Sequence, residues 1–292
     1  MKIFFKRLFG FAFAVSTALC CAIAFAACGK GNSSSPAEGI SYTVEETYAT
    51  RDGLNVYGKL YLPKDAEGKI PAVILSHSAN LTADSMNLYA AGFADRGFAA
   101  YAFDFCGGSS SSRSDGETEE MTIFTECDDL KAALAAVSAL DYVDEERIYL
   151  FGTSQGGLVS ALTAEDCADS VKGEILLYPA FNIPELVSSF SGMGSVGFGS
   201  FGGGYGQAFS DTLKDYDVYS HIGSFDGKVL IIHGSADFIV DKSYSERAAL
   251  LYTDCTLKIL EGAGHGFNSE NYSMGGDYDA QVWTFIDEYL AE

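Results

Sequence analysis

Basic side chains are scarce in this 292-residue chain: 18 Lys and Arg stand against 40 Asp and Glu, for a formal charge of −22. A field of that sign repels phosphate backbones and anionic headgroups, so nucleic acid is set aside as a partner. Histidine is scarcer still, with only His77, His221, His233 and His265, and any chemistry that needs an imidazole must draw on these four. Seven cysteines are present, but Cys106, Cys127, Cys167 and Cys255 are spaced too widely to imply a disulfide framework. No internal repeat occurs. Apolar residues make up 48% and charged residues 20%, the composition of an ordinary globular protein of a length that one large domain accommodates.

The N-terminus reads as an export signal. Lys2, Lys6 and Arg7 precede an apolar run from Leu8 to Ala27 that includes Cys20 and Cys21. The run ends Phe25-Ala26-Ala27-Cys28-Gly29, which resembles the lipobox of bacterial lipoproteins and implies a diacylated Cys28 holding the protein at a membrane surface. Plain cleavage after Ala27, releasing a soluble protein, is the alternative. Residues 1–27 are thus expected to be a signal peptide, residues 28–39 a Gly-, Ser- and Asn-rich linker, and residues 40–292 the domain.

Within that domain, alternation over Ser41 to Thr50 and Leu54 to Leu62 around Arg51-Asp52-Gly53 predicts an opening hairpin. Short apolar runs then alternate with helical periodicity. Strands are expected at Pro71–His77, Phe98–Phe105, Arg147–Phe151, Glu174–Tyr178, Lys228–His233 and Thr256–Leu260. Helices are expected at Ala83–Arg96, Thr122–Leu140, Gln155–Ala168, Ser243–Leu251 and Asp277–Leu290. This rhythm predicts an α/β fold with a mostly parallel, doubly wound sheet. The interval from about residue 180 to 227 is too long for an ordinary connection, and Ser188 to Gly206 within it is nearly all Gly, Ser and aromatic, as a lid over a binding site would be.

Gly152-Thr153-Ser154-Gln155-Gly156 lies directly between a predicted strand and a predicted helix, the setting of a G-x-S-x-G nucleophile elbow. The glycines two places either side let strand and helix approach while the serine hydroxyl is lifted out of the sheet. A serine hydroxyl requires a base, and His265 lies in the glycine-rich loop Gly262 to Phe267 after the last predicted strand. An acid must orient that imidazole. Asp237, just past the strand Lys228–His233, completes the chain order Ser, Asp, His, with Asp241 as a competitor and Asp104 read as structural. Backbone N–H groups of Gln155, which follows the nucleophile, and of Ala79, in the loop His77 to Asn80, are the expected oxyanion donors.

These motifs, together with Phe103 to Ser109, Leu177-Tyr178-Pro179-Ala180, His233 to Asp237 and Glu261 to Phe267, resemble the bacterial α/β-hydrolases that include the cinnamoyl and feruloyl esterases, and more distantly the dienelactone hydrolases. The resemblance implies hydrolysis of small-molecule carboxylic esters through an acyl-enzyme, with no cofactor or metal. Ser78 and Ala79 stand where such enzymes commonly carry a glycine and an aromatic residue, which implies a more open pocket. Two other readings stay open: a serine peptidase of the prolyl-oligopeptidase kind, which shares the triad and sheet, and a lipid-anchored binding protein that has lost the chemistry.

Overall fold

The computed structural model describes residues 41–189, 197–198, 203–268 and 277–291. The expected signal peptide, Cys28, the linker and part of the glycine-rich stretch lie outside the described residues. β1 (Tyr42–Arg51) and β2 (Leu54–Pro63) form the opening antiparallel hairpin, turned by Asp52 and Gly53 at positive φ. There follow β3 (Ile70–Ser76), α1 (Asn87–Ala94), β4 (Ala99–Phe103), α2 (Ile123–Ser138), β5 (Val143–Thr153), α3 (Gln155–Asp166) and β6 (Gly173–Leu177). After the long interval come β7 (Lys228–Gly234), α6 (Ser243–Ala249), β8 (Cys255–Leu260) and α7 (Asp279–Ala291), with α4 (Ile183–Ser189) and α5 (Gln207–Leu213) inside the interval itself.

The eight strands lie in the order β1-β2-β4-β3-β5-β6-β7-β8. β2 runs antiparallel to both neighbours and the rest are parallel, which is the α/β-hydrolase fold. Alternation along each buried strand supplies both faces. In β3, Ile74 enters the core shared with Leu130, Leu134 and Leu158 of α2 and α3. Val73 and Leu75 enter the core shared with Tyr89 and Phe93 of α1 and Val282 and Ile286 of α7. Fully covered strands read as continuous apolar runs for this reason.

Registry brings the carboxyl ends of the parallel strands to one edge. Ser76 pairs with Gly152 and Phe103, Thr153 with Leu177, Leu177 with Ile232, and Gly234 with Leu260. Residues that follow these positions therefore emerge together.

Local differences from the sequence expectation have local causes. The expected helix from Ala83 to Arg96 is split: a 3-10 turn at Ala83–Met86 precedes α1, and the turn is tied to the sheet because the Ala83 N–H donates to Asp104 Oδ1 (2.7 Å). β5 begins four residues early, at Val143, where Ile70 pairs with it across a register shift. The start of α2 falls where a capping box sets it, with Thr122 Oγ1 accepting the Thr125 N–H and Thr125 Oγ1 accepting the Thr122 N–H. All four cysteines of the described residues are free thiols.

Candidate active site

Ser154 occupies the one-residue step from β5 to α3, with φ +50° and ψ −116°. A non-glycine residue there costs on the order of 1–3 kcal/mol and persists only where its surroundings hold it. They do so through the main chain: the Ser154 N–H donates to Leu177 O (3.0 Å), and Ser154 O accepts the Ala180 N–H (2.9 Å). The flanking glycines are required by contact. A Cβ on Gly152 would lie 2.2 Å from Gly156 O, and one on Gly156 would lie 2.2 Å from Ser76 O. Strand, elbow and the end of β3 are thus pressed together where the hydroxyl is presented.

The loops after β7 and β8 are laced to each other. The Ser235 N–H donates to Leu260 O, the Ala236 N–H to Ala263 O, and the Gly262 N–H to Ser235 Oγ (2.9, 2.9 and 2.8 Å). This lacing brings Asp237 to His265. His265 Nδ1 lies 2.7 Å from Asp237 Oδ2, and its Nε2 lies 3.0 Å from Ser154 Oγ, so hydroxyl, imidazole and carboxylate form one hydrogen-bonded line across 111 residues of sequence. Asp237 Oδ1 accepts the N–H groups of Ile239 and Val240 (2.9 and 3.0 Å). Burial opposes ionisation of this carboxyl, but N–H donation from His233 and His265 and the Val240 backbone outweighs it, and Asp237 is held far below the ordinary carboxylate range. The competitor Asp241 is exposed and accepts the Ser243 N–H (2.9 Å) at the start of α6.

The loop from His77 to Asn80 abuts the elbow. Ser78 Oγ lies 2.9 Å from Thr153 Oγ1, and a Cβ on Gly156 would lie 2.6 Å from His77 O. Asn80 adopts φ +57°, which turns the chain just after Ala79. His77 is buried, with Nδ1 2.8 Å from Ser78 O and Nε2 accepting the Phe105 N–H (3.3 Å); burial lowers its readiness to protonate, and it acts as a neutral strut. Gln155 opens α3, so its N–H is among those at a helix start that have no partner within the helix. Its side chain points into the core, where Nε2 donates to both oxygens of Glu126 (2.8 Å each) and Oε1 accepts from the Tyr205 hydroxyl (3.2 Å). Complete burial pushes Glu126 well above the usual carboxyl range.

Other candidates fall elsewhere. Asp104, fully buried, accepts the Ala83 and Arg113 N–H groups (2.7 Å each), a bracing role for the loops around it. His221 stacks on Tyr216, with ring centroids 4.8 Å apart, beside a surface cavity of about 270 Å³ that Phe124 and Lys131 also line and that lies away from Ser154. Among the described residues no three His, Cys, Asp or Glu side chains gather as a metal site, and no helix is long and apolar enough to cross a membrane.

Three neighbours of the line have no signal in sequence spacing. Tyr178, at φ +39°, packs edge-on against the His265 imidazole with centroids 4.6 Å apart. Tyr205 reaches Gln155 from within the long interval. His233, the remaining histidine, contacts Asp237 itself. Tyr178 and His233 do lie inside the segments Leu177–Ala180 and His233–Asp237, whose pattern marks them without assigning the contacts.

With this geometry in hand, comparison with known proteins is informative. The prolyl oligopeptidase family model matches residues 84–292. An uncharacterized protein of Pseudomonas aeruginosa is 34% identical over 126 residues, covering 41% of this chain and 33% of that protein, so the chain spans about a third of the length of the curated relative it matches. The structure of Est1E from Butyrivibrio proteoclasticus with ferulic acid bound superposes with a TM-score of 0.73 at 24% identity, covering 84% of this chain and all of that one. Acetyl xylan esterase 1 from Thermoanaerobacterium superposes with a TM-score of 0.61 at 21% identity, covering 87% and 86%. At these identities the structural likeness is one of fold.

Proposed function

Because this chain belongs to the prolyl oligopeptidase family, we propose that it is a serine hydrolase that cleaves small-molecule carboxylic esters through an acyl-enzyme, with Ser154 as nucleophile, His265 as base and Asp237 as the acid that orients the base. The observation that carries this reading is the hydrogen-bonded line of 3.0 and 2.7 Å from Ser154 Oγ through His265 to Asp237 Oδ2.

In that reading Ser154 Oγ attacks the ester carbonyl carbon while His265 Nε2 takes the hydroxyl proton. Nδ1–H faces an ionised Asp237, which favours the tautomer with a bare Nε2 and stabilises the imidazolium that forms. The N–H groups of Ala79 and Gln155 meet the oxyanion, each donor worth about 3–4 kcal/mol in serine hydrolases. Collapse of the tetrahedral intermediate breaks the bond to the alcohol oxygen, which leaves with the proton from Nε2. Water, deprotonated by the same nitrogen, then attacks the acyl-enzyme, and the carboxylic acid departs as Oγ recovers its proton.

Feruloyl and acetyl esters are the first substrates to try, given the ferulic acid bound to Est1E and the name of the acetyl xylan esterase. The N-terminal pattern ending at Cys28 supports export with a lipid anchor, and the acidity suits an exported protein that must stay soluble. A peptidase is the second reading, favoured by the name of the matching family.

Turnover of p-nitrophenyl acetate and butyrate beside a peptide anilide separates the two. Ester turnover and fluorophosphonate labelling, both abolished in Ser154→Ala, are the expected results. Peptide turnover without ester turnover favours the second reading, and equal labelling of Ser154→Ala removes the nucleophile assignment from both.

A further inference from the structure

His233 lies at the end of β7, four residues before Asp237, with its side chain wholly out of solvent. Its Nε2 is 2.9 Å from Val240 O and 3.3 Å from Asp237 Oδ2. Carbonyl and carboxylate oxygens only accept, so Nε2 carries the proton, which it donates to Val240 O with the Asp237 carboxylate alongside. Nδ1, 2.7 Å from Ser245 Oγ, then accepts from that hydroxyl. Ser245 is itself buried on α6, so no water competes for either nitrogen, and one ring orientation and one tautomer are set from both sides.

The carboxylate of Asp237 thereby accepts three N–H groups and lies 3.3 Å from the nitrogen of a fourth. Ile239 and Val240 hold Oδ1, while the two imidazoles of His265 and His233 meet on Oδ2. Two backbone donors hold one oxygen and His265 meets the other, and the His233 N–H lies against that same second oxygen, bracing the carboxylate on the side His265 approaches. The same ring also bridges the loop that carries Asp237, since its donor reaches Val240 O at the far end.

We infer that His233 is a positioning residue for the reaction: its Nε2–H, pinned by Ser245 and Val240, fixes the ionised Asp237 in the attitude His265 requires and tempers the negative charge His265 feels. This inference rests on the reading of Ser154, His265 and Asp237 given above. The titratable groups facing the carboxylate are His265, His233 and Tyr178, the last buried and held neutral, while Asp241 is exposed on the outside of the same loop. Loss of the His233 N–H leaves the carboxylate charge less shared, so the pH profile of the Ser154–His265–Asp237 line as a whole moves to higher pH.

The test is the pH profile of kcat/KM for p-nitrophenyl acetate in wild type, His233→Leu and His233→Gln, with melting temperature measured alongside. His233→Leu is expected to lower kcat about 10- to 100-fold, the effect of losing one charge-assisted hydrogen bond, with KM little changed and the acid limb moved to higher pH. Gln, whose amide N–H replaces the ring donor, is expected to restore most of the rate and return the limb. A folded His233→Leu whose acid limb coincides with wild type overturns the inference, whatever its rate, because a merely loosened loop lowers activity without moving the limb. If His233→Leu does not fold, imidazole nitrogen–proton correlation spectra of the wild type at pH 8 decide: the Nε2–H tautomer at His233 upholds the inference and the Nδ1–H tautomer overturns it. Ester turnover surviving in Ser154→Ala defeats the underlying reading, whereas a dead Ser154→Ala beside an unmoved limb defeats only this inference.

Discussion

Two buried carboxyls, one at the carboxyl edge of the sheet and one in its interior, have opposite character. Asp237 emerges after β7, accepts three N–H donors, has the His233 Nε2 as a fourth polar neighbour at 3.3 Å, and stays ionised far below the usual range. Glu174, near the start of β6, is just as buried, yet neither of its oxygens has a hydrogen bond of good geometry, even from the nearby Tyr252 hydroxyl, and burial pushes its carboxyl up to about 8. Burial alone therefore does not decide the charge of a carboxyl. The donors and positive charge that the fold aims at it count as well. Glu126 has a single amide donor from Gln155, and burial together with the nearby Asp129 charge still pushes its carboxyl well above the usual range.

The largest effect should come from breaking the ionised member. Asp237→Asn presents an amide N–H where two imidazoles donate, which forces His265 toward the wrong tautomer; turnover of p-nitrophenyl acetate is expected to fall by about 10³- to 10⁴-fold in a folded protein. A loss under tenfold, read by steady-state kinetics, would erase the functional distinction between the two carboxyls.

Glu174→Gln tests the neutral member, and its signature is stability rather than rate. A carboxyl raised from 4.5 to about 8 holds a proton in the folded state that the unfolded chain has released, so the fold is stabilised below about pH 4.5 and loses that contribution as pH rises through 8. Wild type should lose up to about 1.4 kcal/mol per pH unit across this window from Glu174, and Glu174→Gln should flatten that slope in denaturant melts while leaving turnover unchanged. Asp237 contributes with the opposite sign: its depressed carboxyl stabilises above the ordinary carboxylate range, and the contribution is lost as pH falls toward its folded value.

The smallest effect concerns the amide that meets Glu126. Tyr205→Phe removes the hydroxyl that donates to Gln155 Oε1, and freeing that amide should cost about 1 kcal/mol of stability, with a loss of severalfold or less in kcat/KM. A loss comparable to that of Asp237→Asn would place Tyr205 in the chemistry rather than in support of the elbow.

Much of this arrangement is legible along the chain, because the signals are short-range. Strand alternation, the glycines around Ser154 and the Thr122 cap each act within a few residues, and they mark the elements and the elbow close to where they stand. The split of Ala83–Arg96 was not legible, since the carboxylate that ties its first turn, Asp104, sits about twenty residues on. Nor were the contacts of His233 and Tyr178. A histidine ending a buried strand reads the same whether it packs, donates to a distant acid or does nothing.

By itself, the sequence determined the succession of strands and helices and the glycine-flanked step at Ser154, because each depends on residues within a few positions of one another. Only the tertiary structure decided which acid faces His265, which second imidazole shares its oxygen, and which buried carboxyls keep their charge. Those outcomes depend on the registry that brings the ends of β5, β7 and β8 to one edge, and on counting donors contributed by segments far apart in the chain.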